Sequence, residues 1–165
     1  MSSARCLLLA GVVVVLTGCY RPAAPPPLDG GLRIQIVTNH GKLVRAQSML
    51  QREVARSCRR RLGWRTAPNG INRLALTLAG EDIEASAHDA LDIPSRWSLV
   101  LQGSWELHRP GHPPMRGRFS GTGSASNRGQ ELRALEDAAE TVADLIATTI
   151  EQQLIRQRLT TEESS

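Results

Sequence analysis

The stretch that decides the fold is "WSLVLQGSWELH", Trp97 to His108. Trp97, Leu99, Leu101, Gly103, Trp105 and Leu107 alternate with Ser98, Val100, Gln102, Ser104, Glu106 and His108, a period of two that gives a strand one apolar and one mostly polar face. "RPGHPP" follows, and its three prolines lack amide donors, so it reads as a hairpin loop. The next run, "RGRFSGTGSAS", sets Phe119, Gly121, Gly123 and Ala125 against Arg118, Ser120, Thr122, Ser124 and Ser126. With the loop centred on His112, the expected register puts Trp105 opposite Phe119, Gly103 opposite Gly121, Leu101 opposite Gly123 and Leu99 opposite Ala125. A slip of two residues would preserve the same faces.

Upstream of this hairpin, "NRLALTLAG" alternates with Leu74, Leu76 and Leu78 on one face. The apolar phase then moves to odd positions, Ile83 and Ala85, which implies a bulge or bend near Gly80. "EASAHDALDIP" is polar and broken, and reads as a loop ending at Pro94. Further back, "LRIQIVT" alternates Leu32, Ile34 and Ile36 with Arg33, Gln35 and Val37, a first strand. Between them, Leu43, Ala46, Leu50, Val54, Cys58 and Leu62 recur every three or four residues, one stripe of a helix from about Lys42 to Leu62. Gly63 and "APNG" end it.

Downstream, Leu135, Ala138, Ala139, Val142, Leu145, Ile146, Ile150 and Leu154 form a second stripe, on a helix from Glu131 to about Arg158. Its first half carries Glu131, Glu136, Asp137, Glu140 and Asp144, and Arg156 and Arg158 stand near its end, an order that complements the helix dipole. The element order is β-α-β-β-β-α. Every strand has one face to bury and two amphipathic helices are available, so the fold expected is α+β: a two-layer sandwich, with a four-stranded mixed sheet carrying both helices on one face. The first pair of strands, joined through a helix, can be parallel, and the last three can form an antiparallel meander.

A chain of 165 residues, 41% hydrophobic and 22% charged, has room for one soluble domain with a leader and a tail. The net charge is +4 and the basic residues are arginines except for Lys42. Arginine suits carboxylates and phosphates, but it is also the default basic residue where coding composition is biased.

The leader has one early charge, Arg5, an apolar run from Cys6 to Leu16, and a small-residue exit at Thr17 and Gly18. The run is shorter than the roughly 20 residues a membrane-spanning helix needs, and its layout is that of a secretory signal. The exit "LTGC" resembles the bacterial lipobox, which implies cleavage before Cys19 and attachment of a diacylglycerol and an N-acyl chain to that cysteine. Several acyl chains anchor a protein stably where one does not. Tyr20 stands where an aspartate would retain a lipoprotein in the inner membrane, so the resemblance implies the periplasmic face of the outer membrane. The expected organisation is a signal peptide over residues 1–18, a lipidated cysteine and proline-rich linker over 19–31, the domain over 32–159 and a polar tail over 160–165. Cys58 is then the single thiol of the domain, and its place in an apolar stripe makes it a buried structural residue.

No catalytic constellation is expected. His40, His88, His108 and His112 do not share a face. The four-residue spacing of His108 and His112 falls across a hairpin rather than a helix, so no metal site is expected. "GTGS" at Gly121 to Ser124 opens no helix and precedes no lysine, and its small residues suit packing. There is no nucleophile motif. The chain reads as a binding or assembly protein without cofactor, metal or nucleic-acid partner.

"CYRP" after the lipobox, "RIQIVTNHGKLVRAQSMLQREVARSCRRRL", "RLALTLAGEDIEASAHDALDIPSRWSLVLQGSWELHRP" and "ALEDAAETVADLIATTIEQQL" together resemble the LPS-assembly lipoprotein family, LptE, over about Leu16 to Leu154. The resemblance implies a plug in the lumen of the LptD outer-membrane β-barrel, a role in assembling that barrel, and binding of lipopolysaccharide on its way to the outer leaflet. It carries no ligand-contact residue across one by one. From the residues themselves, Arg109, Arg116 and Arg118 around the proline hairpin are candidates for the phosphates of that glycolipid. Two other roles suit a lipid-anchored α+β domain: activating a peptidoglycan synthase, and assisting a lipid-transporting ABC system. The dozen residues from Tyr20 to Gly31 reach about 40 Å at full extension, which argues for a partner at the membrane.

Overall fold

The structure, a computed structural model, describes residues 27–40, 44–88, 90, 94–126 and 130–162. The expected signal peptide, Cys19 and most of the linker lie outside the described residues. In chain order the elements are β1 (Leu32–Asn39), α1 (Val44–Leu62), β2 (Asn72–His88), β3 (Pro94–His108), β4 (Met115–Ala125) and α2 (Glu131–Glu162). The sheet order is β1-β2-β3-β4, with β1 and β2 parallel and the other pairs antiparallel. Parallel neighbours require a crossover connection, and α1 supplies it. This is the α+β two-layer sandwich that the alternation predicts.

One core lies between the sheet and both helices. From α1 it takes Ala46, Met49, Leu50, Val54, Cys58 and Leu62, and from α2 Leu135, Ala138, Ala139, Val142, Ile146, Ile150 and Leu154. The sheet contributes Leu32 and Ile34, then Leu74, Leu76 and Leu78, then Leu99, Leu101, Trp105 and Leu107, and finally Met115, Phe119 and Ala125. Leu145, counted in the α2 stripe from sequence, is exposed. Burial pushes the Cys58 thiol up to about 12, so it stays a neutral apolar filler. Gly63, at φ +68°, closes α1 by donating to the Arg59 carbonyl at 3.2 Å, and Trp64 follows with a bond to the Cys58 carbonyl at 3.3 Å.

The helices are also joined by charge. The Ser57 hydroxyl on α1 donates to Asp144 Oδ1 on α2, Arg60 Nη2 lies 2.6 Å from the same oxygen, and Arg61 Nη2 is 3.7 Å from Oδ2. Burial alone would raise the Asp144 pKa, but the hydrogen bonds from Ser57 and Arg60 and the charges of Arg60 and Arg61 outweigh it and hold the carboxyl below its usual range.

The bulge expected near Gly80 is present. Leu78 pairs with Gly103 and Gly80 with Gln102, so Ala79 is the extra residue, and beyond it Ile83 and Ala85 stand opposite Leu99 and Trp97. The register of the last hairpin differs from the expected one by the two-residue slip. Trp105 faces Gly117, Gly103 faces Phe119, Leu101 faces Gly121, and Leu99 faces Gly123. The turn is built on Pro110 and Gly111, not on His112: Gly111 has φ +75°, and the His112 amide donates to the Arg109 carbonyl at 3.1 Å. Packing favours the same register. A Cβ on Gly117 would lie 2.6 Å from Trp105 Nε1, and one on Gly103 would lie 2.6 Å from Phe119 Cζ, so each ring fills the space beside a glycine.

Two other expectations are corrected. Glu84 to His88 continue β2 rather than forming a loop, with Ala85 opposite Trp97 and His88 opposite Pro94. An antiparallel ladder satisfies backbone groups whatever the polarity of the side chains, so the polar composition did not end the strand. At the other end, α2 runs on to Glu162, past Arg158 and into the segment expected as a tail. Near its end the Thr160 hydroxyl bonds back to the Gln157 carbonyl at 2.9 Å, with the Arg156 carbonyl at 3.3 Å. No basic residue stands in the last turn, so the dipole pattern read from sequence holds for the acidic first half alone. No helix among the described residues is long and apolar enough to cross a membrane.

Candidate functional site

The helices cover one face of the sheet, which leaves two surfaces to consider: the point where the chain enters the domain, and the open sheet face. The entry is held by the backbone. Ile71 and Asn72 amides donate to the carbonyls of Gly30 and Gly31, the Leu32 amide donates to Arg65 O at 2.9 Å, and Ala67 N donates back to Leu32 O at 2.9 Å. Asn72, a buried polar residue at the start of β2, adds its side chain: Nδ2 donates to Asp29 O at 2.7 Å and to Gly31 O at 3.0 Å. The last residues of the expected linker, from Asp29 on, are therefore part of the folded domain.

Beside this entry is a groove of about 590 Å³ whose walls include Leu28, Trp64, Ile71 and Leu154 with Arg109 and Arg158. Ile71 is 61% exposed, unusual for an isoleucine. Arg109 is half-buried. Its Nη2 donates to Gln157 Oε1 at 2.9 Å and lies 3.7 Å from Met115 Sδ, while Nε is enclosed without a hydrogen-bond partner. Burial draws its pKa below the ordinary guanidinium value. Apolar walls with arginine at the rim can seat an amphiphile that has an acidic head.

The three candidate arginines are not brought together. Arg109 turns toward α2 and the groove, whereas Arg116 and Arg118 project from the opposite side of β4, onto the open sheet face. There Arg116 Nη2 pairs with Glu106 Oε1 at 2.7 Å, and His108 Nε2 lies 3.1 Å from the same oxygen. The Arg116 hydrogen bond outweighs desolvation and holds the Glu106 carboxyl below its usual range, with Arg116, His108 and Arg73 adding their charges. Arg73 on β2 joins them along a shallow cleft of about 500 Å³ that also takes in Thr77 and Ser104.

Sequence reading found Arg109, Arg116 and Arg118, but not Asn72, Trp64, Ile71 or Arg73. Asn72 follows "PNGI", where an asparagine looks like one more turn residue, and only the carbonyls packed around it show otherwise. Arg73 is one of many exposed-looking arginines, and its meeting with Glu106 depends on strand order.

No family model and no curated protein matches the chain. Among solved structures, a putative lipoprotein from Caulobacter crescentus is 19% identical, with a TM-score of 0.43 over 78% of this chain and 91% of that one. The rare lipoprotein B from Shewanella oneidensis is 11% identical, with a TM-score of 0.38 over 80% of this chain and 97% of its own. A minor lipoprotein from Acinetobacter baumannii is 12% identical, with a TM-score of 0.39 over 81% and 96%.

Proposed function

We propose that this chain is a lipid-anchored envelope protein that works without catalysis on a partner in its own membrane. Within that class we favour the LptE-type role: a plug and assembly factor for a large LptD-like outer-membrane β-barrel that also meets lipopolysaccharide. The observation that carries this reading is the short, clamped tether. Asn72 and the neighbouring amides hold the chain from Asp29 onward, so eight residues separate Cys19 from Leu28, a reach of about 30 Å when fully extended. That reach is shorter than the one the linker's length suggested, and it suits a partner in the bilayer better than one across the periplasm.

The groove beside the tether gives the reading a ligand site. Arg109, stiffened by Gln157, would meet a lipid phosphate while Leu28, Ile71 and Leu154 line the path of its acyl portion. Arg116 and Arg118 lie on another face and would not share that phosphate.

Affinity purification of the tagged chain from its own membranes tests the role. Co-purification of a large β-barrel, lost when Cys19→Ala removes the anchor, is the expected result. Recovery of a peptidoglycan synthase or an ATPase complex in place of a barrel would overturn it.

A further inference from the structure

The open face of the sheet is unevenly charged. At one end, Arg73, Arg116 and Arg118 stand on β2 and β4 with Glu106 on β3 between them. Arg33 on β1 pairs directly with Arg73, and Arg73 pairs with His108 on its other side. Like charges directly opposite one another across strands destabilise a sheet. Among the described side chains of this end, Glu106 is the single carboxylate, and Arg116 already occupies it. Arg73 acts on Glu106 through its charge without a direct ion-pair contact, and Arg118 has no ion-pair partner among the described residues. Farther along, Asp82 and Glu84 hold register positions opposite Val100 and Ser98, roughly 13 Å or more from the Arg118 pair at Ser104. Between the two, the face carries the uncharged Gln102, Ser104, Ser120, Thr122 and Ser124.

We infer that this basic end of the open face is a docking surface for an acidic protein segment, one whose carboxylates fall between Arg73, Arg116 and Arg118. Charge complementarity identifies the occupant. Neighbouring strands are about 4.8 Å apart, so the backbones of β2 and β4 that carry the arginines are about 10 Å apart, with the Glu106 carboxylate on the strand between them. A phosphate or lipid headgroup placed among them would meet Glu106. A polypeptide can set its own acidic side chains on either side of Glu106 and hydrogen-bond the hydroxyls of Thr77 and Ser104. Paired charges of this kind set orientation and speed encounter more than they add affinity, as suits a module already held near its partner by a tether. The inference goes beyond the tether reading and does not depend on it.

The test uses the chain as purified from its own membranes, in neutral detergent micelles, and fluorescein-labelled poly-L-glutamate as the probe. Replacing Arg73, Arg116 and Arg118 together by Ser should weaken binding roughly tenfold, by the sum of three exposed ion pairs. Replacing Arg45, Arg59 and Arg133 by Ser, an equal loss of charge on the helical side, should change it less than twofold. Glu106→Gln should tighten binding, a gain that misfolding cannot imitate. Equal losses in the two triple variants, or no gain from Glu106→Gln, would overturn the inference. So would displacement of the probe by inorganic phosphate or by micelles doped with phosphatidylglycerol at a lower anion concentration than by unlabelled polyglutamate. Neither a barrel nor lipopolysaccharide enters this assay, so its failure leaves the proposed role standing, and failure of the pull-down leaves this face's preference untouched.

Discussion

Two glycines in β4 decide how closely α2 approaches the sheet. A Cβ on Gly123 would lie 1.8 Å from the Ala134 carbonyl oxygen, and one on Gly121 would lie 2.6 Å from Val142 Cγ2 and 3.0 Å from Ala138 O. Backbone cannot yield as a flexible side chain can, so Gly123→Ala must lift the helix. We expect a loss of about 3 kcal/mol in urea unfolding. Gly111→Ala, in the open hairpin turn, should cost about 1 kcal/mol, since only its positive φ opposes a side chain. Equal costs at the two sites would mean that α2 is not seated on β4 as described. The small residues of "GTGS" are legible in sequence as packing residues. The backbone they admit is not, because a glycine carries no sign of which element fills the space its side chain leaves.

At the level of elements, the helix pair is held by apolar stripes and by the polar clasp on Asp144. Asp144 is 33% exposed and Arg60 53%, so water screens the attraction, and Asp144→Asn should cost about 1 kcal/mol at neutral pH. Because the folded-state pKa of this carboxyl is depressed, its contribution is present above the ordinary aspartate pKa and is lost as pH falls through the folded value. Urea unfolding of the wild type and Asp144→Asn over a pH series from neutral into acid checks this. The gap between them should narrow as pH falls, and a gap that is the same at every pH would mean the clasp does not act through charge. The stripes themselves were plain from periodicity, since positions three and four apart must share a helix face. The meeting of Ser57 with Asp144 was not, because it depends on the relative height of two helices that are distant in sequence.

For the whole molecule, the clamp on the entering chain sets how much of the segment before Leu32 belongs to the folded domain. Asn72→Ala removes two side-chain bonds that hold Asp29 and Gly31, at a cost of about 2 kcal/mol. It should open the chain before Leu32 to limited proteolysis by thermolysin while the rest of the domain resists. An unchanged cleavage pattern would show that the backbone bonds alone secure the entering chain and that its docking does not depend on Asn72. Strand alternation, two helical stripes and the order of elements were determined by the sequence by itself, because each is a local consequence of which side chains leave water. Register, the extension of β2 to His88, the docking of Asp29 to Gly31 and the parting of Arg109 from Arg116 and Arg118 were decided by the tertiary structure alone. A shift of two residues keeps every apolar side chain buried, so burial cannot choose among registers. Rings beside glycines and a turn on Pro110 and Gly111 make that choice, and with it they settle which charges stand opposite one another, Arg116 facing Glu106.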